Sequence, residues 1–246
     1  MKKLTLFALL FVLCATVSMA QQESKNVVKL GLFGLAGKNL RFSYERLLTK
    51  RISVQLSAAF LLERGMPTFF EDKLKEEDTS GTSSSSAFSL DYIKLRGFNL
   101  MPELRIYGKK HGAGKGFYWG PYFKFNRYSL DFGGLSSGTL FSAEGKFTSF
   151  GLGLNIGTQW TIGKHISIDW NFLSVGVNFG HLSADFSSYN TFVNTQDWAD
   201  EFNASDSSVP MFGKFTASPT SNGIQVKTGS APVIGIASRL AICVRF

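Results

Sequence analysis

One pair of residues in this 246-residue chain has a spacing that could support catalysis. His181 and Ser183 are separated by a single residue, so in a β-strand their side chains would point to the same side. The imidazole could then accept a proton from the serine hydroxyl and activate it as a nucleophile, provided that a carboxylate such as Asp185 orients the ring. A lone His-x-Ser triplet often occurs by chance, so we expect no enzymatic activity from it.

The triplet resembles the His-x-Ser motif of outer-membrane lipid A deacylases. That resemblance implies hydrolysis of an acyl ester in lipid A or phospholipid, with His181 as the base and Ser183 as the nucleophile. Two features of the motif are missing, because Ala184 stands where an asparagine usually follows the serine and no acidic residue lies at the expected distance downstream. A hydrolase is therefore the weakest of our three functional hypotheses.

Neither metal nor cofactor chemistry is indicated elsewhere. The acidic run Glu71–Asp78 could contact calcium, but it also contains Lys73 and Lys75 and lacks regular ligand spacing, which favours a solvated loop. Cys243 is the only cysteine outside the first 20 residues, so no disulfide and no cysteine-based metal site is expected. We predict no metal site and no cofactor.

The elements that would position these residues are β-strands, and the pattern is clearest in Phe147–Gly180. From Phe150 to Ile162 every second residue is apolar or aromatic, apart from Thr158, while the residues between them are small or polar. Such alternation indicates a strand with two different faces. Gly163 and Lys164 form a tight turn, after which the alternation resumes, so the segment predicts a β-hairpin.

The same alternation recurs along the chain and predicts eight strands. They cover about 27–35, 39–48, 51–62, 91–107, 117–130, 147–162, 166–180 and 230–246. Three long loops are expected between them, at about 63–90, 131–146 and 181–229. Within the last loop, a helical turn at Thr195–Phe202 would pack Trp198 against Phe202.

The order of the loops favours a membrane protein whose amino terminus lies in the periplasm. That orientation puts all three long loops outside the cell and only tight or medium turns inside, as in outer-membrane barrels. Trp119, Trp160 and Phe246 then fall near one membrane surface and would form an aromatic girdle. A soluble, lipocalin-type barrel is the rival fold, but the chain lacks a Gly-x-Trp motif and a carboxyl-terminal helix.

The polar faces of the predicted strands carry charged residues that would point into the barrel. The functional interpretation is an ion-selective pore or a proton relay, and the structural one is a charge-paired network that fills the interior. We favour the network, because charges in a narrow interior must be paired to offset desolvation. The predicted set is Lys29, Arg41, Glu45, Glu103, Arg105, Lys124, Asp169 and Arg239.

Residues 1–20 have the features of a secretory signal peptide: a basic start, an apolar stretch and a small-residue cleavage site before Gln21. Cys14 is preceded by Leu13, which argues against a lipoprotein signal. Removal of Lys2 and Lys3 leaves 24 basic and 18 acidic residues, scattered along 21–246. This distribution does not indicate nucleic-acid binding.

The carboxyl terminus, with Leu240, Ile242, Val244 and Phe246 alternating, resembles the signal by which the barrel-assembly machinery recognises its substrates. The chain resembles the small eight-stranded outer-membrane barrels that include the OmpA transmembrane domain and OmpX. Two stretches are similar to an uncharacterised outer-membrane barrel family, LRFSYERLLTKRISVQLSAAF and PELRIYGKKHGAGKGFYWGPYF.

These resemblances imply an eight-stranded, antiparallel, up-and-down transmembrane β-barrel in the outer membrane of a Gram-negative cell. The implied partners are outer-membrane lipid, lipopolysaccharide, the assembly machinery and ligands of the outer loops, and we expect a monomer. Our leading hypothesis is a non-enzymatic structural or surface-interaction protein. A narrow channel for small solutes is the alternative, ahead of the acyl hydrolase.

Overall fold

The computed structural model describes residues 25–64, 88–136, 139–188, 194–204, 208–209 and 213–246. The predicted signal peptide at 1–20, the acidic run at 71–78 and most of the predicted loop at 63–90 lie outside these residues. In the described part of the chain, no helix is long and apolar enough to cross a membrane.

The described residues are almost entirely β-structure. A short 3-10 helix (Leu35–Gly37) connects the first two strands, and one α-helix follows the seventh. The strands are β1 (Asn26–Gly31), β2 (Asn39–Leu47), β3 (Ile52–Arg64), β4 (Phe88–Tyr107), β5 (Gly116–Ser136), β6 (Thr139–Ile162), β7 (Ile166–Ser188), β8 (Ser208–Val209), β9 (Gly213–Pro219), β10 (Gly223–Thr228) and β11 (Ala231–Arg245); the helix is α1 (Thr195–Ala204).

Eight of these strands form a closed ring. Strands β1 to β7 pair in sequence order, and β11 pairs antiparallel with both β7 and β1, which closes the circle. A path along paired residues from Leu30 around the ring reaches Pro232 on β11, ten residues before Ile242, which is the direct β11 partner of Leu30. The register therefore advances by about ten residues per circuit, which tilts the strands by roughly 40°.

The predicted loop at 131–146 is wrong. Strand β5 continues to Ser136 and β6 begins at Thr139, with unbroken pairing from Asp131↔Glu144 to Ser136↔Thr139. The alternation of faces continues through this stretch, but the apolar residues change sides, so the sequence loses its expected pattern. What was expected to be a loop is the far end of a long hairpin.

The predicted loop at 181–229 is also wrong in most of its length. Strand β7 runs on to Ser188, and beyond Gly180 its partner changes from β11 to β10, so that β10, β9 and β8 extend the sheet sideways. The predicted helical turn is present as α1, and Trp198 and Phe202 pack against the same small core. We call β8–β10, α1 and the ends of β4–β7 beyond the ring the extension.

The ring is apolar outside and polar inside. On β6, the outward Leu152 is 63% exposed, while the inward Asn155 and Gln159 are fully buried. The same division holds on β3, where Val54 and Leu56 face outward and Ser53, Gln55 and Ser57 are buried.

The extension has the opposite polarity. Ala184 and Phe186 continue the inward face of β7 and lie opposite Val226 and Ile224 of β10. Phe186, Val226 and Ile224 form a small core with Ala217, and Ala199, Trp198 and Phe202 of α1 cover it. The outward residues are polar, as shown by Asp185, which accepts a hydrogen bond from Gln225 Nε2 at 2.5 Å.

Glycines on the inward face make room for tyrosine rings. A Cβ on Gly157 would collide with the hydroxyl of Tyr118, and one on Gly153 would lie 2.5 Å from that of Tyr122. Any larger residue at these glycines would have to displace a ring. The small inward residues of β6 are therefore a packing requirement of a narrow interior.

Candidate functional site

The centre of the ring interior is an ionic network around Asp169 of β7. Its Oδ2 lies 2.5 Å from Nζ of Lys29 and 2.7 Å from a guanidinium nitrogen of Arg105, and its Oδ1 accepts a hydrogen bond of 2.7 Å from Tyr118. Three different strands thus supply partners to one carboxylate. Both oxygens of Asp169 are satisfied, as a buried carboxylate requires.

Glu45 of β2 is held in the same way. Its Oε2 lies 2.7 Å from Nζ of Lys29, and its Oε1 accepts hydrogen bonds from the hydroxyls of Tyr107, at 2.7 Å, and Ser53. The Tyr107 hydroxyl also contacts Oε1 of Gln159 at 3.0 Å. Lys29 therefore bridges Glu45 to Asp169.

Arg105 links this group to a third carboxylate. Its Nε donates to Oε1 of Glu103 at 2.7 Å, and its guanidinium lies 4.1 Å from the ring centroid of Tyr118. The other oxygen of Glu103 accepts a hydrogen bond of 3.3 Å from Arg239. The charges balance, because Lys29, Arg105 and Arg239 oppose Glu45, Glu103 and Asp169. We call these six residues the charge network.

Burial makes the pairing obligatory. The side chains of the charge network are at most 5% exposed, except that of Arg239 at 15%. An unpaired charge at such a position would cost several kcal/mol of desolvation. The network therefore fills the interior with mutually neutralising groups, and it brings together six of the eight predicted interior residues.

The other two predicted interior residues do not join the network. Arg41 and Lys124 are half-buried, and neither forms an ion pair with another described residue. Arg41 lines a small cavity with Arg239 and Asn171. Lys124 is close enough to Arg41 and Arg239 to be repelled by their charges. The interior beside the network thus carries excess positive charge.

Four polar residues that complete the network were not among the predicted interior residues. Tyr107 and Tyr118 are fully buried, and their rings lie 5.5 Å apart. Ser53 and Gln159 are also buried, and Gln159 donates to Ser167 at 3.1 Å. The signal was available, because Tyr107 is in phase with Glu103 and Arg105 on β4.

The candidate catalytic pair lies on the outward face of β7. His181 is exposed and Ser183 half-buried, and no hydrogen bond joins them in the described part of the chain. Asp185, the residue expected to orient the imidazole, lies four residues further along and is bonded to Gln225. The pair is not at the start of a loop, because β7 continues for several residues beyond it.

The predicted girdle residues lie at the end of the ring that has the tight turns. Trp119 and Trp160 face outward and are about half exposed, and Trp160 stacks on Trp170 at 6.2 Å between ring centroids. Phe246 exchanges two backbone hydrogen bonds with Asn26, of 2.9 and 3.1 Å, so the last residue is fixed to the start of β1.

The described residues include no group of three or more metal-binding side chains placed to hold a metal ion. Cys243 is a free, buried thiol on β11, opposite Lys29 of the charge network.

Comparison with solved structures found similarity to an outer membrane protein. The chain is similar to the crystal structure of a major outer membrane protein from Thermus thermophilus, with 14% sequence identity and a TM-score of 0.41, over 90% of this chain and 98% of that one. No protein-family model matches the sequence. No curated protein matches it either.

Proposed function

We propose that this chain is a transmembrane β-barrel of the outer membrane, and that its role is structural or surface-interacting. The observation that carries the proposal is the polarity of the closed ring. Apolar side chains cover its outer face, and a charge-balanced network of ion pairs occupies its interior. In water this arrangement would leave the apolar face exposed, whereas in a bilayer the acyl chains cover that face and the closed ring satisfies the backbone.

The height of the apolar surface fits a bilayer. Outward apolar side chains run along β6 from Phe150 to Ile162. At about 3.3 Å per residue and a tilt of roughly 40°, this stretch is roughly 30 Å tall. The hydrocarbon core of a bilayer is about 30 Å thick. We call this surface the apolar band.

The closed ring of eight strands and the terminal Phe246 agree with the resemblance to the OmpA transmembrane domain and OmpX. On that resemblance, the tight turns lie in the periplasm and the extension lies outside the cell. The charge network then closes the interior from side to side, so solute conduction is not the favoured role. The extension is the part of the protein available to other molecules at the cell surface.

Location and orientation can be tested together. The protein should fractionate with outer membranes and migrate differently on gels before and after heating. Cys243 is buried and should not react with a membrane-impermeant maleimide. A cysteine placed at Thr216 in the extension should react with this reagent on intact cells. A cysteine at Lys164, in a tight turn, should react only after lysis. Recovery in the soluble periplasmic fraction would overturn the proposal.

A narrow anion-selective channel is the second candidate. The observation in its favour is that Arg41 and Lys124 face the interior without an acidic partner among the described residues. Planar-bilayer recording separates the two roles. The structural role predicts no discrete conductance steps, whereas steps that disappear in Lys124→Gln would establish the channel.

We also propose that the protein is not an enzyme. His181 and Ser183 face outward without a hydrogen bond between them, and Asp185, the carboxylate expected to orient the imidazole, is bonded to Gln225. Mass spectrometry of lipid A from cells with and without the protein tests this proposal. The loss of one acyl chain, abolished by Ser183→Ala, would require the hydrolase instead.

A further inference from the structure

At the edge of the apolar band nearest the extension, four neighbouring strands carry a row of phenylalanines. Phe125, Phe150 and Phe179 are direct cross-strand partners, and the Phe98 and Phe125 rings lie 5.6 Å apart. Two residues beyond each phenylalanine, on the same outward face, the first polar side chain occurs. The four successions are Phe98 to Arg96 on β4, Phe125 to Arg127 on β5, Phe150 to Thr148 on β6 and Phe179 to His181 on β7.

The polar side chains beyond this row form a continuous pattern of cations and hydroxyls. One line of cross-strand partners is Arg127, Thr148 and His181. The next is Arg96, Ser129, Lys146 and Ser183. Direct partners have Cβ atoms about 5 Å apart, so neighbouring groups can contact one ligand. We call Arg96, Arg127, Lys146 and His181 the basic rim.

The cations of the basic rim are available to a ligand. Arg127 and His181 are exposed and form no ion pair with another described residue. Arg96 lies 3.3 Å from Asp131 and Lys146 lies 3.7 Å from Glu144, but these side chains are 60% and 51% exposed. Exposed pairs of this kind contribute little and exchange readily for a stronger anion.

We infer that the basic rim binds the phosphate groups of lipid headgroups in the outer leaflet, with diphosphoryl lipid A as the matching chemistry. This inference rests on the proposed function. Arginine and lysine recognise phosphate through charge-assisted hydrogen bonds, and the adjacent hydroxyls add donors. The phenylalanines that adjoin the basic rim contact the acyl chains of the same molecule. A free phosphate has no acyl chains and could not make these contacts.

The assignment gives His181 and Ser183 a role that needs no contact between them. Both side chains face the lipid at headgroup level, His181 next to Thr148 and Ser183 next to Lys146. They are contact residues for the headgroup, and their spacing reflects the period of the strand.

Native mass spectrometry of the detergent-purified protein tests the inference. The wild-type protein should retain added diphosphoryl lipid A. It should bind enzymatically dephosphorylated lipid A much more weakly. The double variant Arg127→Gln with Lys146→Gln should bind diphosphoryl lipid A about tenfold or more weakly, since two cations near the surface are lost. The matched control, Lys109→Gln with Lys110→Gln, removes two exposed lysines from the opposite end and should bind as wild type does.

Three outcomes would overturn the inference: equal binding by the rim and control variants, equal retention of dephosphorylated lipid A, or full competition by millimolar inorganic phosphate. The last would indicate a free-phosphate site. Fractionation of the same variants keeps this result separate from the proposed function. If they remain in the outer membrane and bind lipid A normally, only the rim assignment fails, whereas a wild-type protein outside the outer membrane would refute the proposed function itself.

Discussion

The ring and the extension share the long strands β4, β5, β6 and β7, but the polarity of the inward and outward faces is reversed between them. In the ring, the inward residues of β7 are polar, such as Asp169 and Asn171, and the outward ones are apolar. Beyond Gly180 the inward residues are apolar, such as Ala184, and the outward ones are polar. The backbone alternation does not change between the two regions. The surroundings of a strand therefore decide which face is apolar, even within a single strand.

The two regions are stabilised by different interactions. The ring depends on paired charges in its interior, where breaking a pair leaves a buried ion. The extension has a small apolar core under α1, stabilised by burial in the usual way of soluble proteins. Asn203 of α1 adds a specific link, because its side chain exchanges two hydrogen bonds with the backbone of Ala217, of 2.8 and 2.9 Å. That contact also occupies part of the open edge of β9.

The largest effect is expected from removing a charge inside the ring. Arg105→Leu removes the nearest cation of Glu103 and one of the two cations paired with Asp169, and should lower the free energy of unfolding by about 3–5 kcal/mol. Urea titration of the detergent-folded protein, followed by its heat-dependent gel migration, measures the change. Arg96→Leu, which removes an exposed arginine from the same strand, should cost about 0–1 kcal/mol. Similar losses in both variants would mean that the interior network is not essential.

The second-largest effect is expected from a charge introduced on the outward face, and its size should differ between the ring and the extension. Leu154→Arg places a cation in the middle of the apolar band, where the expected cost is about 2–4 kcal/mol. Glu144→Arg lies on the same face of β6 but in the extension, and should change stability by less than about 1 kcal/mol. Folding yield into lipid vesicles reports both. If Glu144→Arg were as harmful, the apolar band would have to extend further than we place it.

A smaller and more local effect is expected from the core of the extension. Ile224→Ala should destabilise the packing of α1 by about 2 kcal/mol, near the lower end for buried isoleucine because this core is small. Hydrogen exchange should become faster in 195–204 and stay unchanged in the ring. Equal loss of protection in both regions would show that they unfold as one unit.

The smallest predicted effect has the opposite sign. Lys124→Gln removes a cation that lies near Arg41 and Arg239. The loss of like-charge repulsion should raise the free energy of unfolding by up to about 1 kcal/mol. Lys164→Gln, in an exposed turn, is the control and should have no effect in the same urea titration. Destabilisation by Lys124→Gln would show that this lysine has an acceptor in the folded protein.

Much of the ring could be predicted from the sequence, because its strands alternate strictly between apolar outward residues and polar inward residues. The inward positions of Lys29, Glu45, Glu103, Arg105 and Asp169 follow from alternation alone, and the structure brings all five together. Their individual pairs could not be predicted, because they depend on the register between strands that are distant in the sequence. Asp169 and Lys29, for example, are 140 residues apart.

The extension could not be predicted because its apolar residues face inward, whereas the strands were predicted from apolar residues that face outward. Near Gly97 the apolar phase of β4 changes, with Phe98 outward and Leu95 inward, while the strand itself continues. The same change occurs on β5, where Phe132 faces the inner side and packs edge-on against Phe141 and Phe186. On both strands the change of phase marks the passage from the ring into the extension, while the strand itself continues.

The advance of the register by about ten residues per circuit also fixes how wide the ring is. For eight strands about 4.8 Å apart and tilted by roughly 40°, the diameter between backbones is roughly 16 Å. A wider opening would require all eight strand pairs to slip past one another together, with every backbone hydrogen bond exchanged. Any passage through this protein must therefore be opened by its side chains. Such an opening would have to displace Arg105, which pairs with Glu103 on its own strand and with Asp169 across the interior.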